Sequence, residues 1–288
     1  DISPEALSVI ERVEQLLDRP DVHLPVLPAI GMEVQKLVAN ENSSFEQIAE
    51  KVSLDPSMSA RILEVANSPL YAGVEQIKSI EGAVSRIGIR ETRNILQAVV
   101  AEGLFKTTDK HLETIMTALW MHSLAVAYGN EILAKTLFIS ESQDFFMMGL
   151  LHDIGKLLIV HLIQEGQKEG VFQKDEIGDA LMKEVFVAEH NAIGLKLMER
   201  WQYPESFHSV VELHNDDAKV YQYDEPVVVT YYSNLLSRKV GLSLRPHVEA
   251  LLDNKQIAQA MNMSDAARNE VADKLSDMVE KIKLSYLS

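Results

Sequence analysis

Apolar side chains recur in this sequence at three- and four-residue spacing, and no segment sustains a two-residue alternation. The first period is that of one face of an α-helix, whereas the second is that of a half-buried strand. The one strand-like run, VVVTYY at residues 227–232, lies inside a longer helical pattern. Helix-interrupting residues are few, with 13 glycines and 9 prolines in 288 residues. The sequence therefore predicts an all-α fold.

Local helix signals divide the chain into three parts. Ser3 as N-cap and Pro4 at the first helical position open a helix over residues 4–18. A second helix is expected from Pro28 to about Val38. A third follows Ser43 and Ser44, with Glu46 and Gln47 placed for a capping box. A fourth runs from Asp55 to about Asn67, and two more lie on either side of Gly88. Further helices are expected at 111–137, 142–165, 176–187, 188–202, 204–214, 225–240 and 264–286. We assign 1–105 to an N-terminal helical part, 106–240 to a helical core and 241–288 to a C-terminal helical extension.

Charge and cysteine content exclude several classes of function. The chain carries 27 Lys and Arg against 43 Asp and Glu, a formal net charge of −16. Such an acidic chain is a poor general binder of nucleic acid or of an anionic membrane. The absence of cysteine excludes a disulfide scaffold, an iron–sulfur site and a cysteine nucleophile. We find no signal peptide and no run of 18 apolar residues, so a cytoplasmic location without a membrane partner is expected.

The segment LLHDIGKLL at residues 150–158 concentrates the residues that could carry chemistry. Adjacent His152 and Asp153 can share one cation, the imidazole giving nitrogen and the carboxylate giving oxygen. Lys156 lies one turn later on the same helix face and could hold an anionic phosphate beside that cation. His122, in the middle of an apolar helical stretch, is the natural third ligand. A metal-free alternative is a buried His–Asp hydrogen bond that ties two helices. Lys156 would then be either a solvated lysine on the helix face or a partner of Asp153.

Several separated motifs appear in an order that identifies a family. His122, then His152-Asp153 and Gly155-Lys156, is similar in order to the HD superfamily of metal-dependent phosphohydrolases. Four further segments are LPVLPAI (24–30), SLDPSMSARILEVANSPLYAG (53–73), SIEGAVSRIGIRETRNIL (79–96) and EHNAIGLKLMERWQYP (189–204). Together these motifs resemble the HDOD group, the HD-related output domains of bacterial signalling proteins, over roughly residues 20–240.

The resemblance implies a fold and a site. The implied fold is a multi-helical HD-domain-like bundle with an N-terminal helical subdomain. The implied cofactor is a divalent metal (Mn, Fe, Mg or Ni). Its candidate ligands are His122, His152 and Asp153, with His190, His214 and Asn234 as weaker candidates. In an active enzyme, Asp153 and Lys156 would be the catalytic residues, handling the attacking water and the phosphate.

Two positions depart from the pattern of catalytic members. Those enzymes close the metal site with a late aspartate, and the matching position here is Asn234. The cyclic-dinucleotide phosphodiesterase branch has a pair of histidines where this chain reads His214-Asn215-Asp216. Amide oxygens are weak ligands for transition metals. We therefore expect a signalling and regulatory module with a degenerate metal site; the alternative is an active metal-dependent phosphohydrolase acting on nucleotides or cyclic dinucleotides.

The expected partners follow from the same observations. The module would bind a signalling protein or a small phosphorylated ligand, and a homodimer is a further possibility. Residues 45–65 resemble a helix-turn-helix, but the second helix offers Arg61 as its one cation. Because a DNA-reading helix presents several Arg, Lys, Asn or Gln side chains, we interpret this segment as two packed helices and expect no nucleic-acid partner.

Overall fold

The computed structural model describes residues 2–25, 33, 36–37, 40, 43–71, 73, 75–107, 109–139, 144–243 and 249–287. Every regular element in these ranges is a helix. This confirms the all-α prediction, and VVVTYY lies within a helix as expected. The predicted helix from Pro28 to Val38 and most of the segment 24–30 lie outside the described residues.

The N-terminal part contributes five described helices. They are α1 (Pro4–Leu17), α2 (Phe45–Ser53), α3 (Pro56–Ala66), α4 (Ile80–Ile87) and α5 (Ile89–Glu102). Ser44 caps α2 in a reciprocal capping box with Gln47, as the sequence predicts. Asp55 accepts from the amide groups of Ser57 and Met58 at the start of α3.

The rest of the chain folds into the helices that surround the candidate site. After a 3₁₀ turn (Gly103–Phe105) they are α6 (Lys110–Thr136), α7 (Phe145–Leu151), α8 (Ile154–Lys168), α9 (Asp179–Arg200), α10 (Glu205–Leu213), a 3₁₀ turn (Val220–Gln222) and α11 (Glu225–Lys239). Three C-terminal helices follow: α12 (Glu249–Leu252), α13 (Lys255–Ala260) and α14 (Asp265–Tyr286). The 3₁₀ turn falls at the predicted boundary near residue 105, although the division into domains stays a prediction.

Two predicted helix boundaries are wrong, and both errors concern the site. The helix expected over 142–165 is two helices, α7 and α8, with His152 and Asp153 in the turn between them. Neighbouring residues of a straight helix point about 100° apart, so this break lets two adjacent side chains reach the same centre. The helices expected at 176–187 and 188–202 form one helix, α9, because residues 179–193 contain no glycine or proline that would interrupt it.

The long helix α6 lies at the centre of the molecule and packs against α7, α11 and α14. Helix α8 packs against α9, which in turn packs against α10. The C-terminal helix α14 therefore folds back onto the core. The hydroxyl of Tyr128 on α6 bonds to that of Tyr286 on α14 at 3.1 Å and to that of Tyr71 at 2.7 Å, joining all three parts of the chain.

Helices α2 and α3 pack as an amphipathic pair. Arg61 on α3 is paired with Glu64 at 2.8 Å and with Glu102 on α5 at 3.0 Å, and its side chain is 17% exposed. Its charge is therefore already neutralised inside the protein. This geometry agrees with the interpretation of residues 45–65 as a packing motif.

One described stretch, Phe145–Lys168, has the length and apolar composition of a membrane-crossing helix. In the fold, 94% of its apolar window is buried inside the protein. Packing around the site accounts for that composition, and the cytoplasmic location stays a prediction.

Candidate metal centre

The fold brings five of the predicted site residues to one point in the core. His122 lies in the middle of α6, and His152 and Asp153 form the turn between α7 and α8. His190 lies within α9, well inside a helix rather than near a helix start, and His214 is the C-cap of α10. None of these five residues is more than 4% exposed. Their role as metal ligands stays a prediction.

His122, His152 and Asp153 form the first group of potential ligands. His122 Nε2 lies 3.2 Å from His152 Nε2 and 3.2 Å from Asp153 Oδ2. His152 Nε2 lies 3.4 Å from the same carboxylate oxygen. Imidazole nitrogens combined with a carboxylate oxygen suit a divalent transition metal. This donor set therefore fits one such cation.

The other oxygen of Asp153 faces a second group, formed with His190 and His214. Asp153 Oδ1 lies 3.2 Å from His214 Nε2 and 3.4 Å from His190 Nε2. Within each group the ligand atoms lie within 4.8 Å of one another. Asp153 is thus shared by two potential three-ligand positions, one on each of its oxygens.

Main-chain carbonyl groups orient all four imidazoles through their Nδ1 atoms. The pairs are His122 with Leu242 (2.7 Å), His152 with Gly149 (2.7 Å), His190 with Phe186, and His214 with Val210 and Val211 (both 3.0 Å). A carbonyl oxygen only accepts hydrogen bonds, so each Nδ1 carries the proton. Each Nε2 therefore presents its lone pair toward Asp153, which is the orientation that metal-binding histidines adopt.

The facing lone pairs of the first group test whether a metal fits there. Burial lowers the pKa of His122 to about 4 although the Asp153 carboxylate opposes the shift, so this imidazole is neutral at pH 7. Two Nε2 lone pairs 3.2 Å apart repel each other unless a positive charge lies close to both. A divalent cation bound by His122, His152 and Asp153 would remove that repulsion. By this test the residues of the first group fit the metal that the HD pattern implies.

Lys156 supplies a positive charge from the protein itself. It lies on α8 one turn after Asp153, is 6% exposed, and donates from Nζ to Asp153 Oδ2. Burial raises the pKa of Asp153, but the surrounding charges, that of the Lys156 ammonium first among them, outweigh burial and hold that pKa well below its usual value. Asp153 is therefore ionised at neutral pH. The structure shows Lys156 buried and paired with Asp153, the second of its two metal-free alternatives, and not solvated on the helix face.

A layer of amides covers the second group. Asn215 Nδ2 lies 2.8 Å from His190 Nε2 and 2.7 Å from His214 Nε2. On its other side, Asn215 Oδ1 accepts from Asn234 Nδ2 at 3.3 Å and from Arg238 at 3.4 Å. Asn234, one of the weaker ligand candidates, is therefore connected to His190 and His214 by hydrogen bonds through Asn215.

Sequence reasoning missed three contributors to this centre: the Asn215 side chain, the Leu242 carbonyl and the Ser237 hydroxyl. The sequence pattern marks Asn215 only as the place of a missing histidine, although its position directly after His214 could have indicated a direct contact. The Leu242 carbonyl contacts His122 Nδ1, and the Ser237 hydroxyl lies 3.1 Å from the same atom. Neither gave a sequence signal, because every residue has a carbonyl group and serines occur throughout the chain.

The buried imidazoles make stability depend on pH. Burial lowers the pKa values of His122 and His214 to about 4, whereas an exposed histidine in the unfolded chain titrates at about 6.5. Between these values the unfolded chain binds protons that the folded chain does not, so stability falls as the pH falls from about 6.5 to about 4. Each of the two imidazoles contributes up to about 1.4 kcal/mol per pH unit in this window.

Urea unfolding of the wild type and of His122→Gln at pH 7.5, 6.0 and 5.0 measures this slope. The variant is expected to lose the part of the slope that His122 contributes, up to about 1.4 kcal/mol per pH unit. Equal slopes in the two proteins would show that His122 does not titrate as its burial requires.

Comparison with known proteins places this centre in a family context. The profile of the HDOD domain family matches residues 24–217. An uncharacterized protein of Treponema pallidum (strain Nichols) is 23% identical over 247 residues, covering 81% of this chain and 44% of that protein. The chain therefore spans less than half the length of this relative.

Solved structures share the fold across nearly the whole chain. An HDOD domain protein of unknown function from Geobacter sulfurreducens superposes with a TM-score of 0.74 at 22% identity, covering 97% of both chains. A candidate metal-dependent phosphohydrolase from Shewanella amazonensis SB2B gives a TM-score of 0.68 at 24% identity, covering 98% of this chain and 99% of that one. A candidate signal transduction protein from Marinobacter aquaeolei VT8 gives 0.71 at 19% identity, covering 98% and 66%. At these identities the likeness shows the fold.

Proposed function

The chain belongs to the HDOD domain family, and on that premise we propose that it is a signalling and regulatory module that acts by binding. Its buried centre ties the surrounding helices together and does not turn over a substrate. The ligand is a signalling protein or a small phosphorylated molecule.

The pairing of Lys156 with Asp153 is the observation that carries this proposal. A metal hydrolase needs its carboxylate to hold the cation that acidifies water. Here the same carboxylate oxygen already accepts from a lysine ammonium, and both side chains are buried. Buried charges persist when they are paired in this way. The contact connects the helix break at residue 153 to α8 and leaves the lysine directed inward, away from any phosphate in solvent.

A cavity next to the centre offers space for a small molecule, although its wall includes Glu113 and, among the described residues, no Lys or Arg. It has a volume of about 490 Å³ and lies between α6 and the turn after α11, with Thr117, Met121, Leu242 and Ser243 in its wall. The Leu242 carbonyl in this wall also accepts from His122 Nδ1. Occupancy of the cavity would thus bear directly on the orientation of one imidazole.

Binding without turnover is tested on the full chain. Nucleotides retained after purification are released by heat and identified by chromatography, and protein partners are captured from a native lysate and identified. Cyclic dinucleotides and nucleotides are then offered with Mn²⁺, and hydrolysis is compared with that of His152→Ala. We expect a retained ligand or a specific partner and equal background hydrolysis. Hydrolysis that His152→Ala abolishes would overturn the proposal, as would the absence of both ligand and partner.

A second candidate function is a metal-dependent phosphohydrolase. The convergence of two Nε2 atoms and Asp153 Oδ2 in the first group favours it, because these atoms could hold a cation that activates water. Asp153 and Lys156 would then orient the water and the phosphate. Elemental analysis of the protein as isolated separates the two candidates: an enzyme of this class carries about one stoichiometric transition metal that His152→Ala loses together with turnover.

A further inference from the structure

The second group of potential ligands is closed by a hydrogen-bonded amide. His190 and His214 each donate from Nδ1 to main-chain carbonyls of their own helix segment, so each Nε2 can only accept. Besides Asp153 Oδ1, the Asn215 side chain faces both Nε2 atoms, with Nδ2 at 2.8 Å and 2.7 Å. A donor must therefore occupy that position.

The contacts on the other side of Asn215 fix the same orientation independently. Asn234 Nδ2 and Arg238 Nη2, which are both donors, point at Asn215 Oδ1. The carboxamide oxygen must therefore face Asn234 and Arg238, and the amide nitrogen must face the histidines. The NH₂ group has two hydrogens, which is one for each imidazole. A turned amide would bring acceptor against acceptor on one side and donor against donor on the other.

These bonds occupy the lone pairs that a second cation would need. An imidazole nitrogen gives its one lone pair either to a hydrogen or to a metal ion. Asp153 Oδ1 completes the second group, but the two nitrogens beside it are already hydrogen-bonded. In the first group the lone pairs of His122 and His152 face each other, and the hydrogen bond from Lys156 engages the Asp153 oxygen and not an imidazole nitrogen. The two halves of the centre are thus chemically unequal.

We propose that Asn215 is a plug that closes the second ligand group, so that this centre takes at most one divalent cation, held by His122, His152 and Asp153. Asn234 and Arg238 position the plug. The inference concerns the same centre as the proposed function but does not require that function. Hydrolysis by the wild type would overturn the proposed function and leave the number of bound cations unchanged.

Replacing Asn215 with aspartate tests the plug. The new side chain has the same shape, but it presents a ligand oxygen where the donor was. Equilibrium dialysis against Mn²⁺ followed by elemental analysis counts the ions bound per chain. The wild type is expected to bind no more than one ion, and Asn215→Asp is expected to bind one more than the wild type. The variant should also gain thermal stability on addition of Mn²⁺ by a larger shift in Tm than the wild type.

Three controls locate the effect. Asn254→Asp exchanges one good helix N-cap for another, far along the chain, and should bind no additional ion. Asn215→Asp combined with His190→Gln should lose the gained ion, because a ligand of the second group is removed. Asn215→Ala, which removes the donor without adding charge, replaces Asn215→Asp should that variant fail to fold.

Two results would overturn the inference. The first is a wild type that binds two Mn²⁺ ions per chain with Asn215 in place. The second is a folded Asn215→Asp or Asn215→Ala protein that binds no more ions than the wild type.

Discussion

Gly155→Ala is expected to lower the free energy of unfolding by about 3 kcal/mol or more, at the upper end of the cost of inserting a methyl group into a packed core. A Cβ atom at this position would lie 1.8 Å from the main-chain oxygen of His190 and 2.8 Å from the amide nitrogen of Gly194. Both neighbours are backbone atoms, so no side-chain rotation relieves the overlap. Helices α8 and α9 would have to separate.

The separation would also move the centre, because Asp153 directly precedes α8 and His190 is part of α9. Chemical denaturation monitored by circular dichroism measures the loss. Gly103→Ala is the matched control, since its Cβ would meet nothing within 4 Å and its φ of −59° suits alanine. We expect that control to change stability by less than about 1 kcal/mol. A Gly155→Ala protein as stable as the control would show that the two helices do not cross as closely as described.

Asp153→Ala is expected to lower the free energy of unfolding by about 3–5 kcal/mol, the usual cost of removing one partner of a buried ion pair. The substitution takes the carboxylate away from the buried Lys156 ammonium, which is then left in the core without its counter-charge. Urea unfolding at pH 7 in the presence of a chelator measures the loss without any contribution from bound metal.

Lys156→Met in the Asp153→Ala background provides the control for charge. Methionine has a similar volume and no charge, so the double variant no longer buries an ammonium group without its carboxylate. We expect the double variant to be more stable than Asp153→Ala alone. If Lys156→Met adds no stability in that background, the ion pair does not organise the centre. The role of Asp153 would then rest on a bound cation, as the phosphohydrolase alternative requires.

Most of the helices could be predicted because their signals are local. Ser44 with Gln47, Asp55 with Pro56, and the apolar period of residues 264–286 each depend on a few neighbouring residues. The two wrong boundaries have a different origin. The break at His152 and Asp153 contains no proline, and only the geometry of the surrounding helices makes it favourable.

The composition of the site was predictable in part. His122, His152 and Asp153 were identified from the order of the motifs, and the fold brings them together with His190 and His214. Their division into two groups was not predictable, since it depends on which carboxylate oxygen each imidazole faces. The role of Asn215 was also hidden, because an asparagine donates or accepts according to its neighbours.

The sequence by itself determined the helical class, the family and the identity of the side chains that could form a centre without cysteine. It did so because helix period, capping and motif order are properties of contiguous residues. Only the tertiary structure decided how those side chains are used. Lys156 turns inward to Asp153, the carbonyls orient the imidazoles, and Asn215 closes one side of the centre, because hydrogen-bond direction is set by groups far apart in the chain.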